Sequence, residues 1–349
     1  MKIKHLLEDR KDYSNIIKNP FFQKYILPKI NKEMFDGVEK FLYKKEKDFT
    51  SSFRMDRSLL FTLSMEVFTH TKDILLHGSN HGHYETGETY TLTHREGPRD
   101  SDSTMHNMVN KVSEDVYDEF IRNLMFVTRL FSTASDYADK YTDLYIIIPL
   151  DTPTFYYSDK YEDFFVDYLG EGNAVRNLLR EVMNTTNFLV GDNEKEFKAL
   201  GDEWDYDAWL FYELCKNSIE KSLKDKTKIL FDNLTNNNYL ETLTGDIKAE
   251  IVDHIEFLMK KQFDKKASDK FLKEISSLVS PIVDQYTRNI YKAIHNLAES
   301  YVKSVKRTNN FTEASEDSEL MMDCNQFTVI EMNDFANIVV EVYKSQRES

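Results

Sequence analysis

Strand-length apolar runs occupy two blocks of this chain, about 51–158 and 319–331, and a long stretch of helical periodicity separates them. The simplest architecture puts both blocks into one sheet and makes the intervening helices an insertion. The expected fold class is therefore α+β.

Residues 1–50 read as a helical lead-in. Ile16, Ile17, Phe21, Tyr25, Ile26 and Ile30 recur at helical spacings broken by Pro20 and Pro28, and Met34, Val38, Phe41 and Leu42 continue the pattern. In the first block, the run from Arg57 to Leu63 and Ile74-Leu75-Leu76 have strand length. Residues 84–94, dense in Thr and Tyr, read as an exposed ribbon or loop. Helical spacing returns over 106–125 with Met108, Val109, Val112, Val116, Phe120, Leu124 and Met125. The strand-like Leu130 to Ser135 leads into a short helix over 136–140, and Leu144-Tyr145-Ile146-Ile147-Ile148-Pro149 is a buried strand closed by proline. Ser158 is suited to cap a helix over 159–169.

Residues 172–307 carry three apolar stripes: Val175 to Val182; Ile247, Ile251, Ile255 and Leu258; and Ile275 to Ile290, bent at Pro281. The span from Leu320 to Ile330 predicts a hairpin, and Phe335, Ile338, Val339, Val342 and Tyr343 a last helix. The expected domains are a lead-in (1–50), an α+β core (51–171 with 308–349) and a helical insertion (172–307), the last also able to bind a partner.

With 41% apolar residues and 13% aromatics, 349 residues can furnish a real core. No run approaches the apolar length of a membrane span and the N-terminus lacks a secretory signal, so a cytoplasmic setting is expected. Cys215 and Cys324, far apart, suggest ordinary packed thiols. A net charge of −15 argues against broad adhesion to nucleic acid or anionic membranes. Arg95, Arg99, Arg122 and Arg129 are candidates for a local phosphate-binding patch or are solvated surface arginines.

Six of the nine histidines and four of the ten glycines fall between positions 70 and 106, so chemistry is sought there first. The apolar run at Ile74 stops at His77-Gly78-Ser79-Asn80-His81-Gly82-His83. Such an ending delivers polar side chains and bare backbone to the edge of a core; it also fits a hydrophilic surface hairpin. His77, His81 and His83 lack the helical His-x-x-x-His spacing or cysteine pair of a zinc site, and no phosphate-cradling glycine loop is present.

Three pieces form an order: His77-Gly78-Ser79; Phe131-Ser132-Thr133-Ala134-Ser135 with Ala138 and Tyr141; and Ser318-Glu319-Leu320-Met321-Met322-Asp323-Cys324. Together they resemble the three signatures of the ADP-ribosyltransferase fold. Arg95-Glu96-Gly97-Pro98-Arg99-Asp100 and Ile148-Pro149 bring the texture close to the ADP-ribosyltransferase-like proteins of tailed phages. The first signature carries His77 where the Arg-Ser-Glu class has arginine, while the second leans towards that class.

The resemblance covers roughly half the chain and implies a split β core that binds NAD and passes its ADP-ribose to a macromolecular acceptor. Glu319, His77 and Ser132 are the implied catalytic residues; Gly78, Ser79, Arg95, Arg99, Thr133 and Tyr141 would hold the dinucleotide. No resident metal is implied, and the acidic charge favours a protein acceptor over nucleic acid. The chemistry is consistent with these residue types. Cleavage of the nicotinamide glycosidic bond builds positive charge on the ribose, which a carboxylate stabilises. His and Ser can bond ribose hydroxyls, glycine admits an amide to the main chain, tyrosine (Tyr141 or Tyr145) can stack on the ring, and arginine can grip pyrophosphate. The same residues have plainer readings: His77 as a hydrogen-bonded strand end, Ser132 and Thr133 as helix caps, Glu319 as a solvated charge.

Overall fold

The computed structural model describes residues 12–47, 74–79, 84–94, 103–136, 144–161, 188–234, 237–263, 269–315 and 318–348, with 177, 180–182 and 184 besides. The chain divides into two compact units. One, rich in β-strand, is Met1–Glu96, Asn123–Asp163 and Ser304–Ser349; the other, helical, is Gly97–Arg122 and Phe164–Lys303. Residues 97–122, which the sequence groups with the β blocks, are thus part of the helical unit.

The strands are β1 (Leu76–Gly78), β2 (Thr89–Thr91), β3 (Met125–Val127), β4 (Leu144–Pro149), β5 (Thr154–Ser158), β6 (Val305–Thr308), β7 (Leu320–Asp323) and β8 (Gln326–Glu331). Among the described residues they make two antiparallel sheets, ordered β1-β4-β8-β2 and β3-β7-β5-β6, where the sequence predicted one. The expected hairpin at 320–330 is accordingly no hairpin. β7 pairs with β3 and β5, while β8 pairs with β4 and β2, so the chain changes sheet at Cys324-Asn325. The Asp151 carboxylate holds that corner, accepting from the Asn325 main-chain N–H (2.9 Å) and side-chain amide (2.7 Å). Turn residues signal a reversal but not which sheet receives the next strand. β6 also replaces helix at the end of the 172–307 span, and Met125, expected on a helix, opens β3.

Alternation explains the layers. On one face of the first sheet Leu76, Ile146, Ile148 and Ile330 pack with Phe22, Ile26, Met34 and Val38 of the lead-in and with Phe335 and Val339. The lead-in supplies helices α1 (Ser14–Lys18) and α2 (Lys32–Lys47). On the other face Leu75, Tyr145, Ile147 and Val329 meet Met125, Val127, Phe155, Tyr157, Leu320 and Met322 of the second sheet. β4 is therefore buried along its whole length, as its unbroken apolar run predicts. Tyr13 donates to Asp334 at 2.9 Å, tying the lead-in to the C-terminal helix, Met332–Glu348, on which Tyr343 stacks against Phe35 at 4.5 Å.

In the helical unit, α3 (Ser103–Tyr117) ends where Asp118 adopts φ +57°, a left-handed conformation that stops an α-helix. The helical spacing read through Val116 and Phe120 thus fails: both are exposed, at 57% and 39%. The remaining described helices of this unit include Glu194–Glu203, Ala208–Asp232, Asn237–Phe263 and Asp269–Val302. The last runs through Pro281 without ending, and buries Ile275, Val279, Ile282, Val283, Tyr286 and Ile290 as its stripe predicts. Thr227 and Tyr286 join two of these helices through hydroxyls 2.9 Å apart. No described helix is long and apolar enough to cross a membrane.

Candidate functional site

β1 delivers the first candidate side chain. Ile74, Leu75 and Leu76 are fully buried and anchor the strand, so His77 and Ser79 arrive buried as well, at 7% and 2% exposure, with Gly78 half-buried between them. His77 lies opposite Tyr145 of β4 and shares its face, between the two sheets. Its Nδ1 stands 2.7 Å from the Phe126 carbonyl oxygen. A carbonyl only accepts, so Nδ1 carries the proton of this contact, and when the ring is neutral Nε2 is its acceptor.

The surroundings are aromatic. The Tyr84 ring centre lies 6.4 Å from His77 and meets Tyr145, Tyr90 and Phe327 edge-on at 5.2, 4.8 and 5.8 Å. The Tyr145 hydroxyl accepts the Tyr84 main-chain N–H at 3.2 Å, and the Tyr90 hydroxyl accepts that of Glu85 at 2.7 Å. Tyr145, fully buried, is engaged in this packing and so offers no open face for the ring stacking considered for it. Neither Tyr84 nor Tyr90 was singled out from the sequence; the Thr- and Tyr-rich texture of 84–94 was the signal.

The second candidate segment differs from expectation. Phe131–Asp136 is a six-residue helix, α4, and β3 ends before it at Val127. Ser132 is exposed and Thr133 half-buried on its first turn, so neither stands at a strand end. The turn into the helix uses Thr128, whose Oγ1 accepts the Leu130 N–H at 3.1 Å.

Glu319 is half-buried immediately before β7. β3 and β7 pair with Val127 opposite Leu320, and the same register carried one residue on sets Glu319 opposite Thr128. Thr128 in turn bridges Leu76 through reciprocal bonds of 2.8 and 2.9 Å. His77 and Glu319 therefore lie about two strand spacings apart, on the order of 10 Å. Ser318, next to Glu319, is fixed: its hydroxyl donates to the Ser158 carbonyl at 3.2 Å and contacts the Ser315 hydroxyl at 2.8 Å.

The expected basic patch changes character. Arg129 is 7% exposed, donates to the Ala314 carbonyl at 2.8 Å and lies 5.9 Å from the Phe311 ring centre; Arg122 is 5% exposed. Both are built into the protein and are not solvated surface arginines. Arg95, Arg99, Tyr141, His81 and His83, together with the Arg57 to Leu63 run and residues 162–169 of the expected helix, lie outside the described residues, and 159–161 are not helical. The Ser158 hydroxyl accepts from the N–H groups of Lys160 and Tyr161 at 3.2 and 3.3 Å.

Electrostatics sets the remaining groups apart. Burial alone would raise the Asp151 carboxyl, but the main-chain N–H groups of Asn325 and Gln326 and the Asn325 amide outweigh it and hold the group below its ordinary range. Cys324 is pushed up to about 12 by burial and by Asp151 and Asp323, and burial raises Cys215 well above the ordinary thiol value. Both thiols are buried and free, the packed state the sequence suggested. Among the described residues no three His, Cys, Asp or Glu side chains gather as a metal site would require.

No known family model, curated protein or solved structure matches this chain.

Proposed function

We propose that the chain is an enzyme that cleaves NAD and transfers its ADP-ribose to a macromolecular acceptor, a protein in preference to nucleic acid, within a cytoplasm. The observation that carries this reading is the adjacency of β1, β3 and β7, which brings the first and third resemblance signatures within two strand spacings. A dinucleotide spans that distance. Strand alternation turns Glu319, opposite Thr128 and so on the Leu76 side, away from the face that carries His77 and Tyr145, so the ligand has to pass the strand ends to meet both.

In this reading the Glu319 carboxylate orients the ribose 2′-hydroxyl and stabilises the positive charge that grows on the ribose as nicotinamide departs with the bonding electron pair. Its half-buried setting strengthens such an interaction relative to water. His77, held by Phe126 in the Nδ1–H tautomer, presents Nε2 as acceptor towards a ribose hydroxyl. The Gly78 main chain takes the carboxamide and Ser79 the neighbouring hydroxyl. Ser132 and Thr133 on the first turn of α4, with Arg95, Arg99 and Tyr141, keep the roles that the resemblance implies.

A second reading, a non-catalytic interaction protein that keeps the scaffold without the chemistry, is favoured by His77 itself. Its ring is buried, bonded to a backbone carbonyl and set beside tyrosines that pack edge-on against one another. Exposed Trp209 and Phe188 on the helical unit, at 56% and 74%, suit contact with a partner.

Incubation of the purified chain with labelled NAD and a cell lysate separates the two. The enzyme reading expects labelled acceptor, and Glu319→Gln should reduce transfer by about a hundredfold while leaving the unfolding transition in place. Turnover undiminished in Glu319→Gln rejects that residue's role. Wild-type protein that consumes no NAD rejects the reading.

A further inference from the structure

The two sheets finish their open edges differently. β6, the last strand of its sheet, carries Lys306 and Arg307, and Lys306 pairs with Asp159 across an exposed surface. Charges of this kind guard an edge against another strand. β2, the last strand of the other sheet, carries no charged side chain between Thr89 and Thr91. Over Glu88-Thr89-Tyr90-Thr91-Leu92-Thr93-His94 there is no lysine, arginine or proline.

Its open side can be read from the ladder. Leu92 donates to the Asn325 carbonyl at 3.1 Å, and Tyr90 lies opposite Phe327, so these residues face β8. Alternate residues of an antiparallel strand turn their N–H and C=O the other way, which directs those of Thr89 and Thr91 outward. Thr89, Thr91 and Thr93 are all exposed, and among the described residues no strand pairs with β2 on that side.

We propose that this edge is a self-association surface on which β2 of a second copy of the chain adds in antiparallel register about a two-fold axis at Thr91. The strand is complementary to itself in that register. Glu88 falls opposite His94 of the second copy, so each end of the ribbon matches an acid with a base. Tyr90 falls opposite Leu92, continuing the apolar face that packs into the core, and Thr89 opposite Thr93. Moving the axis to Tyr90 keeps the backbone parity but sets Glu88 against Leu92, which loses both charge matches. His94 already lies 3.9 Å from Asp323 within its own chain, so Glu88 of the second copy would complete an acidic pair around it. The contact joins two four-stranded sheets into one of eight.

One strand pair buries far less than the roughly 1,600 Å² of a standard interface, so the dimer is weak and concentration-dependent. Sedimentation of the full chain from about 10 μM to about 1 mM should show a monomer passing into a dimer. Thr91→Pro removes an outward N–H that β8 does not use, and should raise the dissociation constant by at least about tenfold. Glu88→Lys should weaken the dimer about threefold or more, and adding His94→Glu should restore it. Register is tested independently by cysteine. Two-fold-related Cα atoms at position 91 stand about 5.5 Å apart, within disulfide range, whereas those at position 89 are offset by about 14 Å. Thr91→Cys should therefore cross-link under mild oxidation and Thr89→Cys should not, the native cysteines being buried. A chain that stays monomeric throughout overturns the proposal, as does equal cross-linking at 89 and 91. Should Thr91→Pro fail to fold, the cysteine pair decides alone.

Discussion

The helical unit and the β-rich unit draw on the same apolar residues but encode their partners differently. In the helix Asp269–Val302 the buried positions, from Phe271 to Val302, recur at a spacing that the backbone itself dictates. Each strand of the other unit shows only that it is buried. β4 lies under apolar contacts on both faces, and nothing in its six residues states that β1 and β8 flank it. Local periodicity thus specifies a helix and its inward face, whereas a sheet is specified by pairings between segments far apart in the chain.

The comparison is tested most severely at the residue between the sheets. Ile147 is fully buried, and Ile147→Ala should cost about 3–4 kcal/mol through lost burial and a cavity. If the two units unfold separately, urea denaturation should show only the transition of the β-rich unit moving, while Ile290→Ala in the helical unit moves only the other. Coincident shifts in both variants would show one cooperative structure. A gain is expected next, at Pro281. It is exposed inside a continuous helix, so Pro281→Ala restores a main-chain bond to Ser277 and should stabilise the helical unit by about 2 kcal/mol. An unchanged midpoint would show that packing has already absorbed the proline.

Smaller effects probe the long-range ties of the β-rich unit. Tyr13→Phe removes the donor to the buried Asp334 carboxylate and should cost about 1–2 kcal/mol by thermal unfolding, a loss no helical periodicity foretells. Asp151→Asn should cost about 1 kcal/mol, since its contacts are partly solvated. Here the pH dependence has a definite sign. The folded-state pKa is depressed, so the contribution is complete above the ordinary carboxylate range, near pH 4, and disappears as pH falls through the lower folded value. The gap between wild type and variant should be flat near neutrality and close in acid; a gap that widens in acid would contradict the clamp.

Legibility of the candidate site follows the same division. The strand ending at His77 and the buried run to Pro149 were apparent from residue type, because an apolar run stopped by polar residues and glycine has few alternatives. Ser132 and Thr133 were not: Phe131–Asp136 carries residues common to strand ends and helix starts, and the contact of Thr128 with Leu130 settles it as a helix. The tyrosine cluster beside His77 was hidden because Tyr84, Tyr90 and Tyr145 come from segments that meet only after the sheets pair.

The sequence by itself determined the α+β class, the long helices with buried stripes at 247–255 and 275–290, and the complete burial of β4. These follow from solvent exclusion acting on backbone periods of 3.6 and 2 residues. Tertiary structure alone decided that the described strands form two sheets, that β7 and β8 part at Cys324-Asn325, and that Thr128 links Leu76 to Glu319, just before β7. Strand partners are chosen by the combined burial of both faces and the satisfaction of every ladder N–H and C=O, and those quantities exist only once distant segments have met.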